Sequence, residues 1–474
     1  MNYLLPICLT AYTLIVLAVM VKVLMTKRTP TKTLVWLLVL CFIPVVGVIC
    51  YFFFGQDTRK ERMISERSIN QLTKRSMLEF AEQEPLVLPE RNRTLMHLFA
   101  YQHEALPFKV DDTVVYTDGH RFFLALIAAM GRAKDHIHLL SYIFDDDALG
   151  RLIADVLIDK ARAGVEVRVV YDDVGCWKTR RALFERMRRG GVDVHAFMPV
   201  RFPAFTSKVN YRNHRKLCVI DGQTGFIGGM NIALRYVKGR GNMPWHDLHV
   251  QLRGPVVYAL QRAFLIDWYF VDRTLITNRK YYPPMPAMPD TGTIAQVVMA
   301  SPMMPWPEIM QGYVRILMEA RSYVFMQTPY FMPTDPVLFA LCTAAKAGVD
   351  VRLMLPRHAD AFFTDWASRS FVSQVVEAGV KVVLYQEGFL HSKMLVCDDR
   401  VCTCGSTNID FRSFENNFEG NVFFYGKDMA LKLKNIFIED QEKSVLLTPD
   451  APYFSHRFFP RLWEGIIRLF SPLL

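Results

Sequence analysis

The sequence predicts an α/β protein: two homologous α/β sandwich lobes preceded by an N-terminal two-helix transmembrane hairpin. Three observations carry that expectation. Two apolar runs of about 20 residues open the chain. Strand-like and helix-like segments then alternate with short connections, and their succession returns further along. At 474 residues the chain also exceeds an average domain, so two sizeable cores are expected.

Residues 4–25 (LLPICLTAYTLIVLAVMVKVLM) hold one charge, Lys22, and residues 34–55 (LVWLLVLCFIPVVGVICYFFFG) hold none. Each matches the ~20 residues needed to cross a ~30 Å hydrocarbon core. No basic segment precedes the first run and a second apolar run comes after it, which argues against a cleaved signal peptide. Lys27, Arg28 and Lys32 lie between the runs, whereas Arg59, Lys60, Arg62, Arg67, Lys74 and Arg75 lie beyond them. The larger basic count favours a cytoplasmic side for the chain beyond the hairpin.

A charged, helix-biased connector covers 59–104. Within 134–144 (KDHIHLLSYIF), β-branched and aromatic content predicts a strand. Leu149, Leu152, Ile153, Val156 and Leu157 fall at helical spacing, and Gly164 stands where that helix would end. Residues 165–171 (VEVRVVY) alternate as a second strand, giving a parallel βαβ unit and hence a layered α/β sandwich. The series then repeats: 133–144 matches 320–331, 160–170 matches 344–354, and 214–231 matches 391–408. The offsets drift only from 187 to 184 to 177, as expected of duplicated domains. Residues 281–292 (YYPPMPAMPDTG) form a stiff, Pro-rich linker. The expected layout is therefore 1–58 hairpin, 59–104 connector, 105–280 first lobe, 281–292 linker and 293–474 second lobe.

A net charge of +10 and a pI near 9.1 suggest an anionic partner, either nucleic acid or an acidic lipid surface. The nine cysteines show no metal-ligand spacing; Cys8, Cys41 and Cys50 lie in or beside the apolar runs, and Cys402 and Cys404 are too close for an ordinary zinc pair. They read as reduced, buried thiols. The basic-aromatic stretches 201–208 (RFPAFTSK) and 457–474 (RFFPRLWEGIIRLFSPLL) suit either a bilayer interface or packing on the core.

The repeated segments HRKLCVIDGQTGFIGGMN (214–231) and HSKMLVCDDRVCTCGSTN (391–408) share one pattern, H-x-K-x4-D-x6-G-[GS]-x-N. It nominates His214, Lys216, Asp221, His391, Lys393 and Asp398 as the catalytic set. Two-residue spacing puts each His and Lys on one face of a strand. The aspartates, seven residues on and at a turn, face away and serve as turn-forming or supporting groups. Gly228 and Gly229, with Gly405 and Ser406 in the second copy, let the returning strand approach a ligand, and Asn231 and Asn408 are placed to hydrogen-bond it.

Two imidazoles and two ammonium groups suit a phosphodiester. The lysines stabilise the charge of a pentacoordinate transition state; one histidine attacks phosphorus, and the other protonates the leaving oxygen. No metal is called for, because a protonated lysine is a poor ligand. Asp247, 33 residues beyond His214, and Glu419, 28 beyond His391, are candidate His-orienting acids. His136 and His138 share a strand face without further ligands nearby, and His246 and His249 flank Asp247; packing roles are expected for the first pair and remain open beside cleft-lining for the second.

These motifs resemble the HKD signature of the phospholipase D superfamily. With the hairpin and NIDFRSFENNFE (408–419), the chain resembles the bacterial cardiolipin synthases along nearly its whole length. The resemblance implies two phospholipase-D-like lobes and phosphatidyl transfer between two phosphatidylglycerol molecules, giving cardiolipin and glycerol at an inner membrane. It makes His214 the nucleophile and His391 the general acid, and has Asp247 and Glu419 each orient the histidine of the opposite lobe. Gly229 departs from the family's usual Ser, which puts one phosphate hydrogen bond in question. A phospholipid hydrolase, or a transferase using another alcohol such as ethanolamine or serine, shares the same first step. A nuclease would use the positive charge on DNA, but the apolar runs argue against it. A non-enzymatic lipid anchor leaves both motifs unexplained.

Overall fold

The computed structural model describes residues 4–25, 30–54, 86, 88–103, 105–200, 210–241, 243–286, 288, 291–304, 306–360, 362–448, 450–451, 453–454 and 458–471. Stretch 201–208, most of the connector and the flanking charges Lys27, Arg28 and Arg59 to Arg75 lie outside the described residues. The N-terminal helices form one compact unit, and both lobes belong to another.

In the N-terminal unit the first apolar run is helical over Leu4–Met25. The second is divided into Pro30–Phe42 and Pro44–Phe54 with a break at Ile43. Pro44 causes the break, because it has no N–H to give the carbonyl one turn earlier. At 1.5 Å per residue these two pieces reach only about 20 and 17 Å. Among the described residues no helix is long and apolar enough to cross a membrane; side chains 4, 5, 8 and 9 of the first helix are outside the description. Val23, Leu40 and Tyr51 form a small buried cluster, with Trp36 set edge-on to Tyr51 at 5.4 Å.

The other unit contains two sheets of the same order. In the first lobe the strands run, edge to edge, Asp112–Tyr116, His249–Arg253, Thr224–Gly228, Leu217–Ile220, His136–Ser141, Glu166–Asp172 and Asp193–Phe197. In the second, Thr293–Ala300, Asn417–Tyr425, Val401–Gly405, Met394–Cys397, Tyr323–Gln327, Asp350–Pro356 and Lys381–Tyr385 repeat that order. The last three strands of each series pair in parallel, and the others are antiparallel. Phe108–Val110 and Ser444–Leu446 extend the two edges of the second sheet.

Local chemistry explains the crossovers. Asp147 caps the helix Ala148–Arg162 by accepting from Gly150 N at 2.9 Å, and Leu149, Ile153 and Leu157 bury its inner face. Gly164 leaves that helix at φ +89°, and Gly348 does the same in the second lobe at +88°, where a Cβ is disfavoured. Helices cover both sheets, so strands such as His136–Ser141 and Tyr323–Gln327 are buried on both faces. The lobes share packing: Phe389 of the second lobe lies in the first lobe's core, and Tyr330 packs against both. The described cysteines carry no disulfide, and Cys402 and Cys404 lie fully buried on a strand.

Candidate active site

Each motif histidine comes just before a central strand, Leu217–Ile220 or Met394–Cys397, at the carboxyl end of the neighbouring parallel strands. That is where ligands bind in layered α/β folds. The histidines meet the opposite lobe through two short parallel pairings. Arg212 and Asn213 pair with Asn417 and Phe418, and His214 N donates to Phe418 O at 2.9 Å. The next residue along the partner strand is Glu419. The mirror arrangement pairs Phe389 and Leu390 with Trp245 and His246, and His391 N donates to His246 O at 2.7 Å. Asp247 is the next residue there.

The register brings each acid to the other lobe's histidine. His214 Nδ1 lies 3.0 and 3.1 Å from the two Glu419 carboxylate oxygens, and His391 Nδ1 lies 2.6 Å from Asp247 Oδ2. Both acids are fully buried, whereas the imidazoles keep a small opening, 13% for His214 and 9% for His391. With Nδ1 held by a carboxylate, Nε2 is the nitrogen left for chemistry on each ring. Lys216 and Lys393 each donate to the backbone carbonyl of their own motif histidine, and Lys393 Nζ lies 2.9 Å from His391 Nδ1.

Burial dominates the electrostatics. It pushes the His391 imidazole down to about 3, helped by Lys393, and lowers His214, with Lys216 and Lys393 acting in the same sense. Both imidazoles are thereby held toward their neutral form. Burial likewise lowers Lys216 well below the usual lysine range and brings Lys393 down to about 8, although Asp247 and Glu419 oppose this. For the acids burial works upward, but the Lys393 charge and the hydrogen bond from His391 outweigh it at Asp247, as the hydrogen bond from His214 and the Lys216 charge do at Glu419, and both carboxyls are held below their ordinary range.

The remaining nominated residues separate into two groups. Asp221 and Asp398 are not brought to the histidines. They sit at φ +52° and +53° at the far ends of their strands, about 16 Å along the chain from the motif lysines. Asp221 accepts from the N–H groups of Lys134, Asp135 and His136 at 2.8–3.0 Å, and Asp398 from Arg321, Ser322 and Tyr323 at 2.8–3.0 Å. Each aspartate therefore pins the loop entering the adjacent strand, which corrects their inclusion in the catalytic set. The glycines serve the protein's own packing: a Cβ on Gly228 would stand 2.5 Å from His249 Cα, and one on Gly229 would stand 2.2 Å from Asp247 Oδ1.

Ser406, the counterpart of Gly229, donates to Glu419 Oε2 and accepts from Gly420 N at 3.0 Å. Its hydroxyl thus supports the acid, a contact that Gly229 cannot offer Asp247. Asn231 is held by the protein, accepting from Ile143 N at 3.1 Å and donating to the Tyr236 hydroxyl at 2.7 Å. The buried Asn408 Oδ1 has no partner, an acceptor suited to a hydroxyl rather than a phosphate oxygen. His136 and His138 are structural, bonded to Asp135, Gln261 and Arg168. His246 pairs with Asp440 at 2.9 Å, and His249 stacks on Phe122 at 4.1 Å.

Two neighbours escape motif reading. The Tyr142 ring stands edge-to-face with His214, their centroids 4.8 Å apart, and its centroid lies 5.2 Å from the Lys216 ammonium. Its place in the repeat is taken by Pro329, so duplication gives no signal for it. Arg215, between the motif His and Lys, is buried and bonds Asp267 at 2.6 and 2.7 Å, Ala300 O at 2.7 Å and Glu419 O at 3.0 Å. Its odd position puts it on the opposite face from the lysine, the one hint the sequence carries.

Two lobes of one topology, each contributing a His–Lys pair and the acid for its partner's histidine, define a phospholipase-D-type fold and site. Residues 126–264 and 313–441 match the family "Cardiolipin synthase, PLD-like domain", and residues 12–56 match "Phospholipase D-nuclease N-terminal". A cardiolipin synthase of Listeria monocytogenes (serotype 4b) is 36% identical over 98% of this chain and 100% of its own length. Cardiolipin synthase 2 of Bacillus cereus is 38% identical over 94% of this chain and 88% of its own. A solved structure of phosphatidylserine synthase from Haemophilus influenzae shares the fold, with a TM-score of 0.59, 14% identity and coverage of 81% of this chain and 98% of that one. The chain belongs to the cardiolipin synthase family.

Proposed function

We propose that this chain moves a phosphatidyl group from one phosphatidylglycerol to the terminal hydroxyl of another, giving cardiolipin and glycerol. The observation that carries this reading is the pair of crossed His–carboxylate contacts, each with a lysine beside it. His214 Nε2 attacks phosphorus, the bond to the head-group glycerol oxygen breaks, and that oxygen takes a proton from His391 Nε2. A phosphatidyl–His214 intermediate remains, its cationic ring held by Glu419. The second phosphatidylglycerol then gives its hydroxyl proton to His391, its oxygen attacks phosphorus, and the bond to His214 breaks. Lys216 and Lys393 stabilise the equatorial charge, so no step needs a metal. Burial holds His391 toward its neutral form; the anionic phosphodiester raises its pKa on entry and so brings the acid into its working state.

In this reading the N-terminal helices lie in a bacterial inner membrane and the lobes are cytoplasmic. Large apolar side chains stand exposed along all three helices, including Leu14, Leu17, Leu24, Val35, Phe42 and Ile49, in keeping with a lipid surrounding. The test is reconstitution of the full chain in phosphatidylglycerol vesicles with a metal chelator present. Cardiolipin and glycerol in equal amounts are expected. Phosphatidic acid as the main product would overturn transfer in favour of hydrolysis.

A further inference from the structure

The C-terminal helix Phe458–Phe470 packs against the second-lobe helix Phe362–Glu377. Its packed face holds Ile467, buried in the second lobe's core, and Arg468, which covers the Phe371 ring at 4.5 Å and donates to Gln374 at 3.2 Å. The adjoining face is open: Phe459, Leu462, Trp463, Ile466 and Leu469 form one stripe, from 39% exposed at Ile466 to 79% at Phe459. The segment is thus both packed and amphipathic.

Tyr453, ahead of the C-terminal helix, lies under Arg369, whereas Arg468, near the end of that helix, meets Phe371 and Gln374 further along the neighbouring helix, so the chain advances along both in the same sense. Their N-terminal ends therefore lie toward one side, and each carries an exposed pair, Phe458–Phe459 and Phe362–Phe363. That side is the active-site end. Tyr330, packed between the two lobes, donates its hydroxyl to Asp360 at 2.8 Å, two residues before Phe362, and the Asp360 carboxylate acts on Lys393. The exposed Arg357 adds positive charge just before it.

A phospholipid substrate keeps its acyl chains in a bilayer and offers only its anionic head group. An apolar rim at the active-site end of the lobes, on a chain of net charge +10, fits that surface better than it fits a protein. We propose that Phe362, Phe363, Phe458 and Phe459, with the exposed stripe of the C-terminal helix, seat the active-site end of the lobes on an anionic phospholipid bilayer; this rests on the phosphatidyl-transfer reading above.

The test compares two substrates for the full-length chain. One is long-chain phosphatidylglycerol in the vesicle that holds the enzyme. The other is dihexanoyl phosphatidylglycerol, dissolved below its micelle concentration, with the enzyme in phosphatidylcholine vesicles. The F362S/F363S/F458S/F459S variant is expected to lose roughly tenfold or more on the vesicle substrate and to keep its rate on the dissolved one. The corresponding Phe→Leu set is expected to keep both. Equal rates on both substrates in the serine variant, an equal loss on both, or a leucine set as impaired as the serine set would overturn the proposal. So would a serine variant whose oligomeric mass in detergent differs from that of the parent, since the rim would then join two copies of the chain. Failure of the parent chain to make cardiolipin from either substrate would instead count against phosphatidyl transfer itself.

Discussion

The two lobes share a strand order and a motif, yet they hold their catalytic groups by different means. Asp247 reaches His391 across Gly229, whose missing side chain leaves the room the shorter acid occupies. Glu419 reaches His214 with both oxygens and is steadied by the Ser406 hydroxyl. At the position after the histidine, Arg215 ties Asp267 of the first lobe to the backbone of the second. Ser392 instead begins a buried relay through Gln327 to Asp440, which receives His246 from the first lobe. What duplication keeps constant is the crossing register, histidine against acid; the means of fixing it are free to diverge.

That comparison can be broken by exchanging the supports. Gly229→Ser would drive a side chain into the Asp247 carboxylate and turn it from His391, so kcat is expected to fall roughly 10²-fold or more with KM little changed. A rate within twofold of the parent would show that the acid has room to spare. Arg215→Ala leaves Asp267 buried without its main cation and should destabilise the protein by about 3–5 kcal/mol, whereas Ser392→Ala should cost about 1 kcal/mol. Denaturant unfolding of both variants measures that asymmetry.

Two smaller effects sharpen it. The Lys393 ammonium, near 8, is needed as a cation, so kcat/KM should decline as pH rises through that value. Asp247→Asn removes a charge that favours the ammonium, so the lysine loses its proton earlier and the alkaline limb moves down by roughly one pH unit. A limb that stays in place would assign it to another group. Ser406→Ala should slow turnover only about tenfold, since Glu419 keeps Asn417 and both contacts to His214.

Much of the site was legible in the sequence because chemistry and spacing agreed. Five residue types fixed at matching positions announced two half-sites, and strand parity alone turned Asp221 and Asp398 away from the histidines. The helix and strands around Gly164 came from periodicity and one left-handed glycine. Other features depend on contacts between distant segments. No local pattern tells that Phe108–Val110 will pair with Thr293–Ala300, that Ser406 will bond Glu419, or that Arg215 will bridge two lobes. The division of the second apolar run at Pro44 was written in the chain, but hydropathy alone passed over it.

The central claim is a covalent intermediate on the first lobe, formed and resolved with His391 of the second lobe acting first as acid and then as base. It is tested most directly by quenching the parent chain during turnover of phosphatidylglycerol and mapping the modified residue by mass spectrometry. A phosphatidyl group on His214, absent from the His214→Ala variant, is the expected result. A phosphatidyl group on any other residue, or none on His214 while cardiolipin is still being formed, would contradict the account.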